Sequence, residues 1–179
     1  MSFRDRLKKF DRKVVPSKVK TIGEQICKDI VRPAIYNGNE LHNHGVCRKT
    51  GQIYSFVYGY PKPLKYSDRN IKNLAMSYPC VSIIDPKVFT NHAHNKGTIN
   101  AHIIIHETLN ALPIPPGVTE NEWKRTPVSV RKITRGIWMV NHIDHNKKNY
   151  HPKNLEWVKG AGENAQKAKV FYENQKIYN

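Results

Sequence analysis

Val140-Asn141-His142-Ile143-Asp144-His145-Asn146-Lys147-Lys148-Asn149-Tyr150-His151-Pro152-Lys153-Asn154-Leu155-Glu156-Trp157-Val158 decides how this chain is read. It sets polar side chains between two short apolar runs, Gly136-Ile137-Trp138-Met139-Val140 and Leu155-Glu156-Trp157-Val158. Each run is β-branched or aromatic and bounded by turn residues, which predicts a strand. The connection is too rich in His, Asp and Asn for a plain hairpin turn. Loops that bind or react display their side chains from a rigid scaffold in this way. Beyond Trp157, Lys159-Gly160-Ala161-Gly162 leads into a helical pattern from Glu163 to about Lys176. The expected local order is strand, long polar loop, strand, helix.

Upstream, His102 and His106 stand four apart on a predicted helix over 101–112 and share one face. Metal ligation by them is a weak signal. The stronger expectation is that His102 packs beneath the polar loop as structural support, with Asp144 shaping the loop and Trp157 packing in the core. Pro113, Pro115, Pro116 and Gly117 then break the chain. Thr119-Glu120-Asn121-Glu122 has capping-box spacing. Thr126-Pro127 predicts a second helix start and Gly136 its stop. Arg131, Lys132 and Arg135 lie between them, placed to grip phosphates, as do Lys147, Lys148 and Lys153 in the polar stretch.

Earlier still the pattern is β-rich. Asn37-Gly38 and Thr50-Gly51 are turn signals. Val46-Cys47-Arg48 and Gln52-Ile53-Tyr54-Ser55-Phe56 flank the second and predict a hairpin. A short helix is expected from Ser67 through Met76. Strands are expected at Val81–Ile84 and Thr98–Asn100, around a polar loop over 91–97. Tyr54, Tyr58, Tyr60 and Tyr66 interleave with Lys62, Lys65 and Arg69. That mixture suits contact with a nucleic-acid backbone or half-buried strand faces. At the N-terminus, Phe3, Leu7 and Phe10 mark one helix. Val19, Ile22, Ile26 and Ile30 mark another, ending near Arg32 because Pro33 disfavours helix before it.

Thirty basic against fourteen acidic residues give a net charge of +16 over 179 residues. Such an imbalance points to a polyanionic partner, most commonly nucleic acid. Cys27, Cys47 and Cys80 are far apart and contain no Cys-x-x-Cys pair, which argues against a zinc ribbon and for free thiols in a reducing compartment. The first residues are charged, and no run approaches the roughly 20 apolar residues of a membrane span. A cytoplasmic protein without membrane association is expected, in the host cytoplasm if phage-encoded.

The polar stretch holds the groups that phosphodiester hydrolysis needs. A neutral His, with an ordinary pKa of about 6.5, suits removal of a proton from water. A divalent ion on oxygen ligands suits stabilisation of the phosphoryl charge and the leaving 3′ oxygen. Asn141-His142 sets an oxygen ligand beside a base. Adjacent strand residues point to opposite faces, so both can reach one phosphate only if the strand ends there.

The motif Asn141-His142-Ile143-Asp144, Asn146-Lys147, Asn149 and Asn154-Leu155-Glu156-Trp157-Val158 resembles that of the HNH endonucleases. The branch found in phage and intron homing endonucleases is the most similar. His145 stands where that branch usually has Gly, and Tyr150 where it has a second Asn. Ala101-His102-Ile103-Ile104-Ile105 is similar to the Val-His-Arg-Leu-Val helix preceding the motif there, with Ile103 replacing Arg. The segment between this helix and the motif is longer here.

The resemblance implies an α+β protein with a ββα-metal (His-Me finger) core. Residues 1–34 would form a basic helical arm, 35–100 a β-rich DNA-binding or supporting segment, and 101–179 the nuclease core. It further implies His142 as general base, Asn154 as the residue orienting its loop, and Asn141 as a metal ligand. Asn164 would complete a site for one Mg²⁺ or Mn²⁺, with Glu163 as its substitute. The implied substrate is double-stranded DNA, cut by a metal-dependent endonuclease, with homing as one biological role the resemblance implies. The alternative is a DNA-binding or virion-associated protein on the same scaffold without catalysis. Oligomeric state is not legible.

Overall fold

The computed structural model describes residues 31–58, 60–68, 77–90 and 93–177. The expected N-terminal helices, up to residue 30, and most of the expected 67–76 helix lie outside them. The chain is α+β, with three small antiparallel sheets and four α-helices among the described residues.

The first sheet has the order β1-β2-β3-β4, from Val31–Tyr36, Asn39–Cys47, Ile53–Ser55 and Lys62–Pro63. Asn37-Gly38 makes the two-residue turn joining β1 to β2. Both residues are left-handed, at φ 49° and 69°, as a type I′ hairpin requires. Thr50-Gly51 lies in the connection from β2 to β3, so the expected hairpin is present. The expected end of the arm is displaced. Val31 and Arg32 belong to β1, paired with Cys47 and Val46, rather than to a helix. Pro33 is tolerated because β1 is an edge strand and its register shifts between Pro33 and Ile35. The boundary at 34 therefore cuts through a strand.

The second sheet pairs β5 (Ser67–Asp68) with β6 (Pro79–Ile84), and β6 with β7 (Lys96–Asn100). Ser67 and Asp68 are thus extended where a helix start was expected. Helix α1 (Ala101–Leu109) follows β7 directly and packs across β1. Ile104 and Ile105 are fully buried and join Leu41, Val46, Ile53, Val81 and Ile83 in the core. Burial of an Ile side chain contributes about 1.5–3 kcal/mol.

The stretch after α1 carries two short helices, α2 (Glu120–Arg125) and α3 (Val128–Ile133). The Thr119–Glu122 capping box is formed in both directions. Thr126 closes α2 instead of opening α3: its N–H donates to Glu122 and Trp123 carbonyls, and Pro127 is the residue before α3. A 3₁₀ turn, Thr134–Ile137, absorbs Gly136. The third sheet, β8 (Trp138–His142) with β9 (Leu155–Lys159), therefore starts two residues later than expected. Helix α4 (Gly160–Ile177) follows, entered through Gly160 at φ 66°. Leu155 ties this hairpin into the main core. No helix among the described residues is long and apolar enough to cross a membrane.

Candidate active site

The late start of β8 puts Asn141 and His142 inside the strand, opposite Glu156 and Leu155. Their side chains go to opposite faces of the hairpin, as strand alternation demands. Asn141 lines a cavity beneath α4 with Ile143, His145, Glu156, Glu163 and Lys167. His142 turns the other way, onto α1.

The loop between the strands is held by its own polar groups. Ile143 N–H donates to the Asn154 carbonyl at 2.9 Å, extending the ladder one step past His142. His145 N–H donates to the His142 carbonyl at 3.0 Å. Asn154 reaches across the loop: its Oδ1 accepts from Asp144 N–H at 3.1 Å, and its Nδ2 donates to Asp144 Oδ1 and the Asn149 carbonyl, both at 2.8 Å. Asp144 also accepts from Asn149 Nδ2 at 2.7 Å and Asn146 N–H at 2.9 Å. Partial burial would raise its carboxyl pKa, but these donors hold it below the usual value. His145 is left-handed at φ 56°, which accounts for glycine at this place in the motif it resembles. The loop's far end packs Tyr150 on Tyr66 (centroids 4.5 Å apart), whose hydroxyl donates to the Gly51 carbonyl at 3.2 Å. Tyr66 is thus structural, whereas Tyr58 is 68% exposed and stacks with Tyr60.

His142 is 4% exposed. Its ring centroid lies 4.8 Å from that of His102 and 5.7 Å from that of Tyr78. His102 and Tyr78 therefore both pack against the His142 ring. Lys147 Nζ stands 5.0 Å over the Tyr78 ring. Burial, aided by Lys147 and His145 and only partly opposed by Asp144, pushes the His142 pKa down to about 4. Burial, with His142 and His106 adding to it, lowers His102 to about 3. Both rings are neutral at pH 7. His142 Nε2 is sealed from solvent and has no hydrogen-bond partner. An orphaned buried polar atom of this kind costs stability, and His44, His102, His106, Arg131 and Trp138 each carry one as well.

Trp157 is half-buried rather than in the core. Its Nε1 donates to the Ala111 carbonyl at 3.1 Å, its ring meets His106 edge-on, and the Arg135 guanidinium lies 4.9 Å over it. Arg135 itself is tied to the buried carboxylate of Glu107 and to the Trp138 carbonyl. It is a brace and not a free phosphate ligand, because its charge is already compensated. Arg131 lies over the Trp123 ring, and Lys132 donates to Asn39 Oδ1 at 2.9 Å. Lys148 is ion-paired with Asp68. Lys153 is exposed. The six basic residues expected at phosphates thus divide into internal braces and surface cations.

Asn164 does not line the Asn141 cavity. Glu163, Gln166, Lys167 and Val170 do, at the 3–4 residue spacing of one helix face. Glu163 is thus one of four helix residues that share a cavity with Asn141. Glu156 and Lys167, which sequence reasoning missed, share this face: Asn141 Nδ2 donates to Glu156 Oε1 at 3.0 Å, and Lys167 Nζ lies 2.9 Å from Glu156 Oε2. Glu156 has a lowered pKa: its partial burial would raise it, but Lys167 and Asn141 outweigh that. The polar groups lining the cavity are the amides of Asn141 and Gln166, the carboxylates of Glu156 and Glu163, the imidazole of His145 and the ammonium of Lys167. No group of three His, Cys, Asp or Glu that could hold a metal occurs among the described residues.

Compared with known proteins, the chain matches no protein-family model, no curated protein and no solved structure.

Proposed function

We propose that this protein is a metal-dependent DNA endonuclease of the HNH type, hydrolysing phosphodiester bonds with His142 as general base. The observation that carries the proposal is His142 itself. It is a neutral imidazole with an orphaned nitrogen, at the end of a strand whose outgoing loop is fixed by Asn154. The neutral ring is in the form that accepts a proton from water as the water attacks phosphorus. Asn154 and Asp144 hold the backbone after His142, so the ring's position is set before substrate arrives. Asn141 and Glu163 are the residues that would hold Mg²⁺ or Mn²⁺, with Asn164 outside the cavity. When bound, such an ion stabilises charge on the phosphoryl group and on the leaving 3′ oxygen. The net charge of +16 suits a polyanionic duplex.

One observation favours a second reading. Asn141 and His142 face opposite sides of the hairpin, and His142 is covered. A DNA-binding protein on this scaffold without catalysis would be built the same way. Incubation of the full chain with duplex DNA and Mg²⁺ or Mn²⁺ separates the two. Endonuclease activity predicts nicked or linear product, reduced about 10²-fold or more by His142→Ala. A wild-type chain that retards DNA in gels but leaves it intact across both metals and many sequences would sink the catalytic reading and leave the second.

A further inference from the structure

Trp157 follows Glu156 in β9, so strand alternation turns its side chain to the face of the hairpin away from Asn141. There it lines a cavity of about 360 Å³ with Trp123 and the apolar side chains of Ile35, Ala111, Leu112 and Val128. Small-molecule sites start at about 300 Å³, so a small ligand fits. Four charged residues line the same space: Glu107, Arg131, Lys132 and Arg135. The Glu107 carboxylate is engaged by Arg135 and by the Gly38 N–H at 3.3 Å. Arg131 and Lys132 have no carboxylate partner among the described residues. The Arg131 guanidinium lies 5.9 Å over the Trp123 ring, and Lys132 donates to the neutral amide oxygen of Asn39. The Nε–H of Arg131 is buried and has no acceptor. A guanidinium does not lose its proton in a protein, so this donor calls for an oxygen. Asn110 lines the cavity as well, with its Nδ2 2.9 Å from His106 Nδ1, which leaves its Oδ1 to accept from an incoming N–H. An apolar, indole-lined cavity with two uncompensated cations, an unused donor and an amide acceptor complements an anion that carries a polar-edged aromatic ring.

We propose that this cavity binds a single nucleotide, with its base against the apolar lining beside Trp123 and Trp157 and its phosphate on Arg131 and Lys132. A base fits the lining because indoles pack against its π-face whatever its sequence identity. The Asn110 acceptor suits the N–H groups of a base edge, which a plain aromatic acid lacks. A phosphate suits the cations: Arg131 can donate its buried Nε–H in a charge-assisted hydrogen bond, and Lys132 adds a point charge. The net charge of +16 favours the same class of ligand. A free nucleotide and one turned out of a duplex present the same groups, so the cavity accepts either. Catalysis at His142 and a bound metal ion play no part in this binding, so it stands apart from the endonuclease reading.

Titration of the full chain with dAMP and dTMP, without metal and at about 0.15 M salt to screen diffuse attraction, tests this. Indole fluorescence, excited beyond the nucleotide absorption, reports binding because Trp123 and Trp157 line the cavity. Both monophosphates should quench it saturably, and deoxyadenosine, which lacks the phosphate, should bind at least about tenfold more weakly. Phenyl phosphate, which lacks the base edge, should also bind more weakly than dAMP. Arg131→Met and Lys132→Met should each weaken dAMP by about tenfold. Lys96→Met, which removes one exposed charge from β7, should leave it unchanged. Ala111→Phe fills the cavity without altering charge and should also weaken dAMP; thermal melts of each variant confirm that it is folded. A duplex with one unpaired nucleotide, compared with a fully paired one, identifies the source. Tighter binding of the former assigns the cavity to DNA, and equal binding of the two beside saturable dAMP assigns it to free nucleotide. No saturable quench by either monophosphate, a loss in Lys96→Met equal to that in Arg131→Met, or phenyl phosphate binding as tightly as dAMP overturns the proposal. Because no cleavage is read, a chain that cuts DNA but fails these titrations keeps the endonuclease reading and loses this one. A chain that passes them but never cuts DNA does the reverse.

Discussion

Asn154→Ala is the sharpest test of how the loop is held. The substitution removes three hydrogen bonds: Asp144 N–H to Oδ1, and Nδ2 to Asp144 Oδ1 and to the Asn149 carbonyl. A neutral hydrogen bond contributes about 1 kcal/mol net and one to a charged group about 1.5–3. The gross loss is therefore about 4 kcal/mol. Water can replace part of it, because the site is half-buried, so a net cost of about 2–3 kcal/mol is expected. For a chain of this size that lowers Tm by about 5–10 °C. Urea unfolding of wild type, Asn154→Ala, Asp144→Ala and the double variant should return a coupling of about 1–2 kcal/mol between the two positions. Asn154→Asp should cost at least as much at neutral pH, since it sets two carboxylates in contact. A loss under about 0.5 kcal/mol for Asn154→Ala, or strict additivity with Asp144→Ala, would falsify the account of the loop as an Asn154–Asp144 clasp.

Three further outcomes follow from buried groups. Burial chiefly holds His44, His106 and His142 at about 4 and His102 at about 3. Their unfolded pKa is about 6.5. The unfolded chain thus binds more protons between about 6.5 and 4, so stability is full above 6.5 and falls as pH drops through this window. Calorimetric unfolding at pH 5.5 should take up about three to four protons, and a flat stability profile from pH 7.5 to 5 would contradict the burial of these rings. Gly97→Ala would push a Cβ into the ring of Phe89, itself 7% exposed in the core. A loss of about 1–3 kcal/mol in chemical denaturation is expected, and a neutral result would mean that β7 is not seated on Phe89. In Glu107→Ala, the guanidinium of Arg135, 17% exposed, loses its carboxylate. The expected cost is about 3 kcal/mol, and Arg135→Ala added to it should restore part of the loss; a double variant no more stable than the single one speaks against the pairing.

The hairpin, the long loop and the helix after it were legible because turn chemistry and short apolar runs act locally. The Asn37-Gly38 and Thr50-Gly51 turns and the Thr119–Glu122 capping box were legible for the same reason. Misreadings came where tertiary pairing outweighed local preference. Pro33 reads as a helix stop, yet its strand sits at a sheet edge where a missing N–H costs little. Gly136 reads as the start of a strand, but the 3₁₀ turn takes it. Asn164 is favoured by residue type, and helix phase turns Glu163 rather than Asn164 to the cavity that Asn141 lines. Glu156 could have been found by asking which residue a tight β8–β9 pairing sets opposite Asn141, and Lys167 by its four-residue spacing from Glu163. The engagement of Arg135 by Glu107, 28 positions away, has no local signature.

The loop from Ile143 to Asn154 has a consequence for exchange and for binding. Its amides at Ile143, Asp144, His145, Asn146, Lys148, Asn149 and Asn154 all donate to acceptors within the loop or its strand end. A segment whose regular structure is a single 3₁₀ turn at Pro152–Asn154 should therefore exchange its amide hydrogens with deuterium almost as slowly as the strands it joins. The ordering entropy of these residues, about 1–2 kcal/mol each for the backbone, is met when the chain folds and not when a ligand docks. Whatever touches this loop meets a surface already set, and its affinity reflects contact alone.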